Sequence, residues 1–121
     1  MLPKPNRLRR VVDVKRVQRH GCSWRHPLVI LLVLTNSQPF SRFAVIASKR
    51  VGNAVVRNRC RRRLREVIRG QLPTISPGWD CVLIARQTSS QAAYLELETA
   101  VLHTLTRAQL LNEHIADQQQ G

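Results

Sequence analysis

Two hydrophobic periods alternate along the chain. Residues 28–34 (Leu-Val-Ile-Leu-Leu-Val-Leu) form an unbroken apolar run, short and β-branched enough to predict a buried strand. Residues 42–48 (Arg-Phe-Ala-Val-Ile-Ala-Ser) predict a second strand beyond a turn at 36–39, and residues 80–85 a third after Pro77-Gly78. Between them the period becomes 3.6: Cys60, Leu64, Val67 and Ile68 stand at i, i+4, i+7 and i+8, with Gly70 as the expected stop. An earlier helix is predicted over 11–19, where Val11, Val14 and Val17 form an i+3 row and Gly21 follows. The first half therefore reads as a helix followed by a hairpin. A closing helix is predicted over 91–111, with Thr88-Ser89-Ser90 as cap candidates and Leu95, Leu102 and Leu105 among its apolar positions. Residues 1–10, which hold Pro3, Pro5 and several arginines, read as an irregular basic segment, and 112–121 as a polar tail on a single domain spanning 1–111.

The 121 residues suffice for one core without a metal or disulfide scaffold. Lys and Arg number 20 against 7 Asp and Glu, a net charge of +13 that calls for a polyanionic partner. A hydrophobic content of 43% excludes a disordered basic tail. Cys22, Cys60 and Cys81 cannot pair completely, so no disulfide framework is expected; Cys60 and Cys81 fall on apolar positions and read as core. The longest apolar run is far short of the roughly 20 residues a membrane helix needs. The N-terminus lacks the apolar core of a signal peptide, and a cytoplasmic protein is expected.

The charge is concentrated. Residues 57–69 hold Arg57, Arg59, Arg61, Arg62, Arg63, Arg65 and Arg69, with Glu66 as the only acid. At 100° per residue Cys60, Leu64, Val67 and Ile68 share one stripe; Arg62, Arg65 and Arg69 lie opposite, with Arg61 on one flank and Arg59 and Arg63 on the other. One face packs and the rest displays guanidinium forks, which match phosphates bidentately and stack on bases. Upstream, Lys49-Arg50-Val51-Gly52-Asn53 reads either as backbone N–H groups open to phosphate or as a simple turn. Charge alone fits a ribosomal or general RNA-binding protein equally well. A DNA reader is disfavoured, since no helix-turn-helix pair precedes the basic helix and its arginines suit backbone contacts better than base readout.

A nuclease with its own active site needs paired carboxylates. Glu96 and Glu98 are 200° apart on a helix, and Glu113 and Asp117 fall in the tail. Asp13 reads as a first-turn helix residue and Asp80 as the start of a strand, so no protein-borne catalytic residue is expected. His20, Cys22 and His26 have a zinc-like spacing but lack a fourth ligand, and no metal site is expected.

The run from Ser48 through Gly52-Asn53-Ala54-Val55-Val56-Arg57-Asn58-Arg59 to Glu66 closely resembles the signature of the bacterial ribonuclease P protein component. Leu2-Pro3-Lys4, Asn6-Arg7-Leu8-Arg9-Arg10, Asp13 and Val17 resemble that family's opening, and a looser similarity extends to about Arg107. The resemblance implies an α+β, two-layer α/β sandwich in the order αβββαβα, with a left-handed βαβ crossover; Cys22–Arg25 is the candidate for the fourth strand. It implies the protein subunit of a ribonucleoprotein that removes the 5′ leader of precursor tRNA. It further implies that cleavage is done by Mg²⁺ ions held by the catalytic RNA, and that the protein binds that RNA and the substrate and lowers the metal requirement. Arg57, Asn58, Arg59, Arg61, Arg62, Arg63 and Arg65 are thereby expected to face the RNA subunit, with basic contacts from Arg7, Arg9 and Arg10. A cleft between the first helix and the sheet is expected to take the leader. Its usual aromatic positions are Val14, Gln18 and Leu32 here, so phosphate contacts from Lys49 and Arg50 are expected to replace stacking, unless Phe43 or Trp24 supplies a ring.

Overall fold

The computed structural model describes residues 2–111; the predicted polar tail, 112–121, lies outside them. Three helices, α1 (Val11–His20), α2 (Ala54–Gln71) and α3 (Tyr94–Arg107), accompany four strands, β1 (Cys22–Arg25), β2 (Val29–Thr35), β3 (Arg42–Ala47) and β4 (Trp79–Ala85). Along the chain they run α1, β1, β2, β3, α2, β4, α3. The strands form one mixed sheet in the order β1-β2-β4-β3, in which β4 is antiparallel to β2 and parallel to β3.

The expected hairpin between 28–34 and 42–48 does not form. β4 inserts between those strands, and the hairpin is instead β1–β2, with Trp24 opposite Leu31. Cys81, Val82 and Leu83 are all buried, and a strand apolar on both faces is stable only in the middle of a covered sheet.

Both faces are covered. Val29, Leu31, Val33, Phe43, Val45, Cys81 and Leu83 pack with α2 and α3 in the main core. Leu32, Leu34, Ala44, Ile46, Val82 and Ile84 meet Val14 and Val17 of α1 on the other side. The two-layer expectation thus becomes three layers, because successive strand residues point to opposite faces and β2 is apolar at both parities.

Local chemistry moves several boundaries. Val11 stays 67% exposed, and Asp13, not Val11, joins Val17 on the buried side of α1. α2 starts where the Asn53 side chain accepts the Val56 N–H at 3.0 Å. Gly52 has φ +157°, and a Cβ there would sit 2.7 Å from Val56 Cγ1, so this position requires glycine. Gly70 lies inside α2, which ends one residue later at a 3₁₀ turn, Leu72–Thr74, containing Pro73. Ser89 caps no α-helix, since its hydroxyl donates to the Arg86 carbonyl within a 3₁₀ turn, Gln87–Gln91. α3 begins three residues beyond that turn, where Glu96 accepts the Ala93 N–H at 2.7 Å. Leu95 is 71% exposed; Leu97, Ala100, Val101 and Leu105 form the buried face.

The N-terminal segment holds one 3₁₀ turn, Lys4–Asn6, and is otherwise irregular, yet it is docked on the sheet. Leu2 and Leu8 are buried in the two apolar clusters, and the Leu8 N–H donates to Phe43 O at 2.9 Å. The segment runs along the outer edge of β3, where Arg7 bridges to Phe43 and the Asn6 amide donates to Ser41 O.

Candidate nucleic-acid interface

α2 fulfils its periodicity. Cys60, Leu64, Val67 and Ile68 are its buried residues, which turns the intervening arginines outward. Asn58, Arg61, Arg62, Arg63 and Arg65 line a cleft of about 790 Å³. Its other walls are Glu66 of α2, Leu2, Arg7, Leu8 and Arg9 of the docked segment, the 43–45 stretch of β3, and Tyr94 at the start of α3. The fold thus joins two of the three expected N-terminal contacts to the arginine helix. Arg10 stands apart as the exposed residue before α1.

The guanidiniums crowd one another. Burial, with the Arg61 charge next in effect, lowers the pKa of Arg65. Arg61 donates to Asn58 Oδ1 and is held along the cleft wall. Glu66 engages Arg69 through two hydrogen bonds of 2.9 and 3.2 Å, which hold its carboxyl below the usual range. Arg57 and Arg59 do not line this cleft. Arg59 is exposed elsewhere on α2, and the Nε of half-buried Arg57 is sealed without a hydrogen-bond partner.

The leader-cleft candidates divide. Val14 and Leu32 meet in the apolar layer between α1 and the sheet, beside Ala44, Ile46 and Ile84. Gln18, one turn further along α1, is exposed. Among the described residues no aromatic side chain belongs to that layer. Phe43 is buried on the opposite face, and Trp24 packs against the main core with the Arg107 guanidinium 5.6 Å from its ring. Lys49 and Arg50 are exposed in the turn before α2, where the Val51 N–H donates to Ser48 O and the Arg50 N–H to the Ser48 hydroxyl. The stretch forms a turn at Lys49–Val51.

Two carboxylates that look unrelated in the sequence come together. Asp80, fully buried, accepts two hydrogen bonds from Arg42, one from Asn36 at 2.8 Å and one from Arg16 at 3.3 Å. Asp13 lies 3.2 Å from Arg16 and 3.8 Å from Arg42. Burial pushes the Asp80 carboxyl up, but the bonds from Arg42, Asn36 and Arg16 outweigh it and leave its pKa lowered. Guanidinium groups thus bridge the two acids and tie α1 to the starts of β3 and β4. The sequence signal was an acid and an arginine at the ends of otherwise apolar strands. His20 and Cys22 are exposed, and the His26 ring accepts the Leu28 N–H and stands edge-on to His103 at 5.6 Å. Among the described residues no group of three His, Cys, Asp or Glu side chains converges.

These features define a basic α+β protein with an arginine-walled cleft whose charge suits a polyanion. The family described as Ribonuclease P matches residues 2–109. The chain is 39% identical over 112 residues to the Ribonuclease P protein component of Roseiflexus castenholzii, covering 92% of each chain. It superposes on the Staphylococcus aureus RNase P protein with a TM-score of 0.82 at 27% identity, covering 88% of this chain and 98% of that one. For the Thermotoga maritima RNase P protein the TM-score is 0.77 at 27% identity, over 84% and 96%. The chain belongs to the ribonuclease P protein family, the protein subunits of the ribonucleoprotein that removes the 5′ leader of precursor tRNA by RNA-mediated catalysis.

Proposed function

We propose that the arginine face of α2 binds the ribonuclease P RNA while the layer between α1 and the sheet borders the path of the precursor-tRNA leader. The observation that carries this reading is the convergence of Asn58, Arg61, Arg62, Arg63 and Arg65 with Arg7 and Arg9 around one cleft. Arginines on two separate segments that share a cleft suit the closely spaced phosphates of a folded RNA, where two helices approach. Arg57 and Arg59 extend the contact around α2, and Arg10 extends it toward α1. Lys49 and Arg50 serve the leader, whose bases meet the aliphatic Val14 and Leu32 together with Gln18. In this reading the Mg²⁺ ions of the reaction belong to the RNA, and the chain's +13 charge screens phosphate repulsion that metal ions must otherwise offset. Asp13 and Asp80 are committed to Arg16 and Arg42 and take no part in the chemistry.

The reading includes a left-handed β3–α2–β4 connection, the rare hand for parallel strands, and a cytoplasmic location. Among the described residues no helix is long and apolar enough to cross a membrane. The test is reconstitution: the full chain mixed with a bacterial ribonuclease P RNA and precursor tRNA at low Mg²⁺. Expected is 5′ processing by the mixture and none by the protein freed of RNA. Mg²⁺-dependent cleavage by the protein alone, or a mixture no more active than the RNA, would overturn the reading.

A further inference from the structure

The arginine-walled cleft contains an aromatic ring that phosphate binding does not explain. All five Trp, Tyr and Phe residues of the chain are among the described residues, and of these Tyr94 is the exposed one, at 40%. It belongs to neither apolar cluster nor to the half-buried residues packed against them, so its ring contributes little to the core. As the first residue of α3 it stands at a fixed helix end, where Glu96 anchors the preceding backbone N–H. That position makes it part of the same cleft wall as Arg61, Arg62 and Arg65, which belong to another helix.

We propose that Tyr94 is a stacking platform for an unpaired base of the RNA subunit, whose flanking phosphates are held by Arg61, Arg62 and Arg65. The inference rests on the reading of α2 as the RNA-subunit contact and adds to it a recognition element of a different physical kind. Arginines on a helix attract any phosphate backbone, paired or single-stranded. An exposed ring beside them favours a nucleotide whose base is out of its stack, because only an unstacked base offers a free π-face. The cleft, at about 790 Å³, is within the roughly 300–1,000 Å³ of sites that enclose small organic ligands, and a nucleotide is of that size. Its lining includes Phe43, Ala44 and Val45, apolar residues that suit a base better than a hydrated phosphate.

Stacking and phosphate contact respond differently to salt, and this makes the inference testable. Affinity of the full-length protein for ribonuclease P RNA is measured across a salt titration for wild type, Tyr94→Ala, Tyr94→Leu, Tyr94→Phe and Arg62→Ala, with circular dichroism confirming the fold of each. Tyr94→Ala and Tyr94→Leu are expected to weaken binding by roughly 5- to 150-fold at every salt concentration with the salt slope unchanged, and Tyr94→Phe to restore it. Arg62→Ala is expected to reduce the slope by about 1. Wild-type affinity in Tyr94→Ala alongside a reduced slope in Arg62→Ala would overturn the stacking role and leave the arginine reading standing. Unchanged binding in both variants would overturn the two together. A Tyr94→Phe variant as weak as Tyr94→Ala would assign the effect to the hydroxyl and overturn stacking, as would a loss seen only with leader-bearing precursor tRNA.

Discussion

Arg42 grips Asp80 with two nearly parallel hydrogen bonds, Nε to Oδ1 at 2.8 Å and Nη2 to Oδ2 at 2.7 Å. The carboxylate is completely buried and joins the starts of β3 and β4, neighbours in the sheet that are separated in sequence by all of α2. This pair fixes the parallel register at the end of the crossover that carries the arginine helix.

Removing Arg42 takes away two of the four hydrogen bonds to the buried Asp80 carboxylate and leaves it the Asn36 amide and the longer Arg16 contact. Arg42→Ala is expected to cost about 3–5 kcal/mol, with Asp80→Asn milder because the amide keeps a hydrogen-bonding shape without the charge. Urea unfolding of the two variants checks the order; an Arg42→Ala protein of wild-type stability contradicts it.

The same pair makes stability depend on pH in a defined direction. The folded-state pKa of Asp80 is lowered, so its contribution is complete above the unfolded value of about 3.9 and is lost as pH falls from there through the folded pKa. Unfolding free energy measured from neutral pH down to about pH 3 is expected to fall less steeply in Asp80→Asn than in wild type. Parallel acid limbs for the two proteins would show that Asp80 does not contribute to that dependence.

Leu64 is fully buried under α2, whereas Arg62 is exposed on its outer side. Leu64→Ala is expected to cost roughly 2–5 kcal/mol, and Arg62→Ala to change stability by no more than about 0.5 kcal/mol. Comparing denaturation with RNA binding for both separates the packing role of the helix from its charged role.

Val14 and Leu32, which the proposed function places beside the leader, are aliphatic. Leader affinity is therefore expected to show little base preference and to fall steeply with salt, by about 0.7 in logarithmic slope per phosphate contacted. Val14→Phe is expected to raise leader affinity by adding stacking worth about 1–3 kcal/mol while the salt slope stays the same. Affinities for precursor tRNAs of increasing leader length, at two salt concentrations, test this; equal affinities for wild type and Val14→Phe would rule out a stacking deficit.

Where interactions are local, the sequence by itself was sufficient. Four buried residues of α2 follow from a 3.6 period, and the helix start follows from Gly52-Asn53, because both depend on neighbours within a few positions. The arginine-rich outer face, and with it the polyanion-binding character, follows from the same wheel. Strand positions were legible to within a residue or two, yet their pairing was not: β2 and β3 carry equally apolar patterns, and nothing local says that β4 will come between them. The tertiary structure alone brought Leu2 and Arg7 to Arg62, Asp13 to Arg42 and Asp80, and Tyr94 to the arginine helix. Each of these contacts depends on strand order and on which face of the sheet a helix covers. Those are decided by how the whole chain buries both sides of one sheet, a condition that no single segment contains.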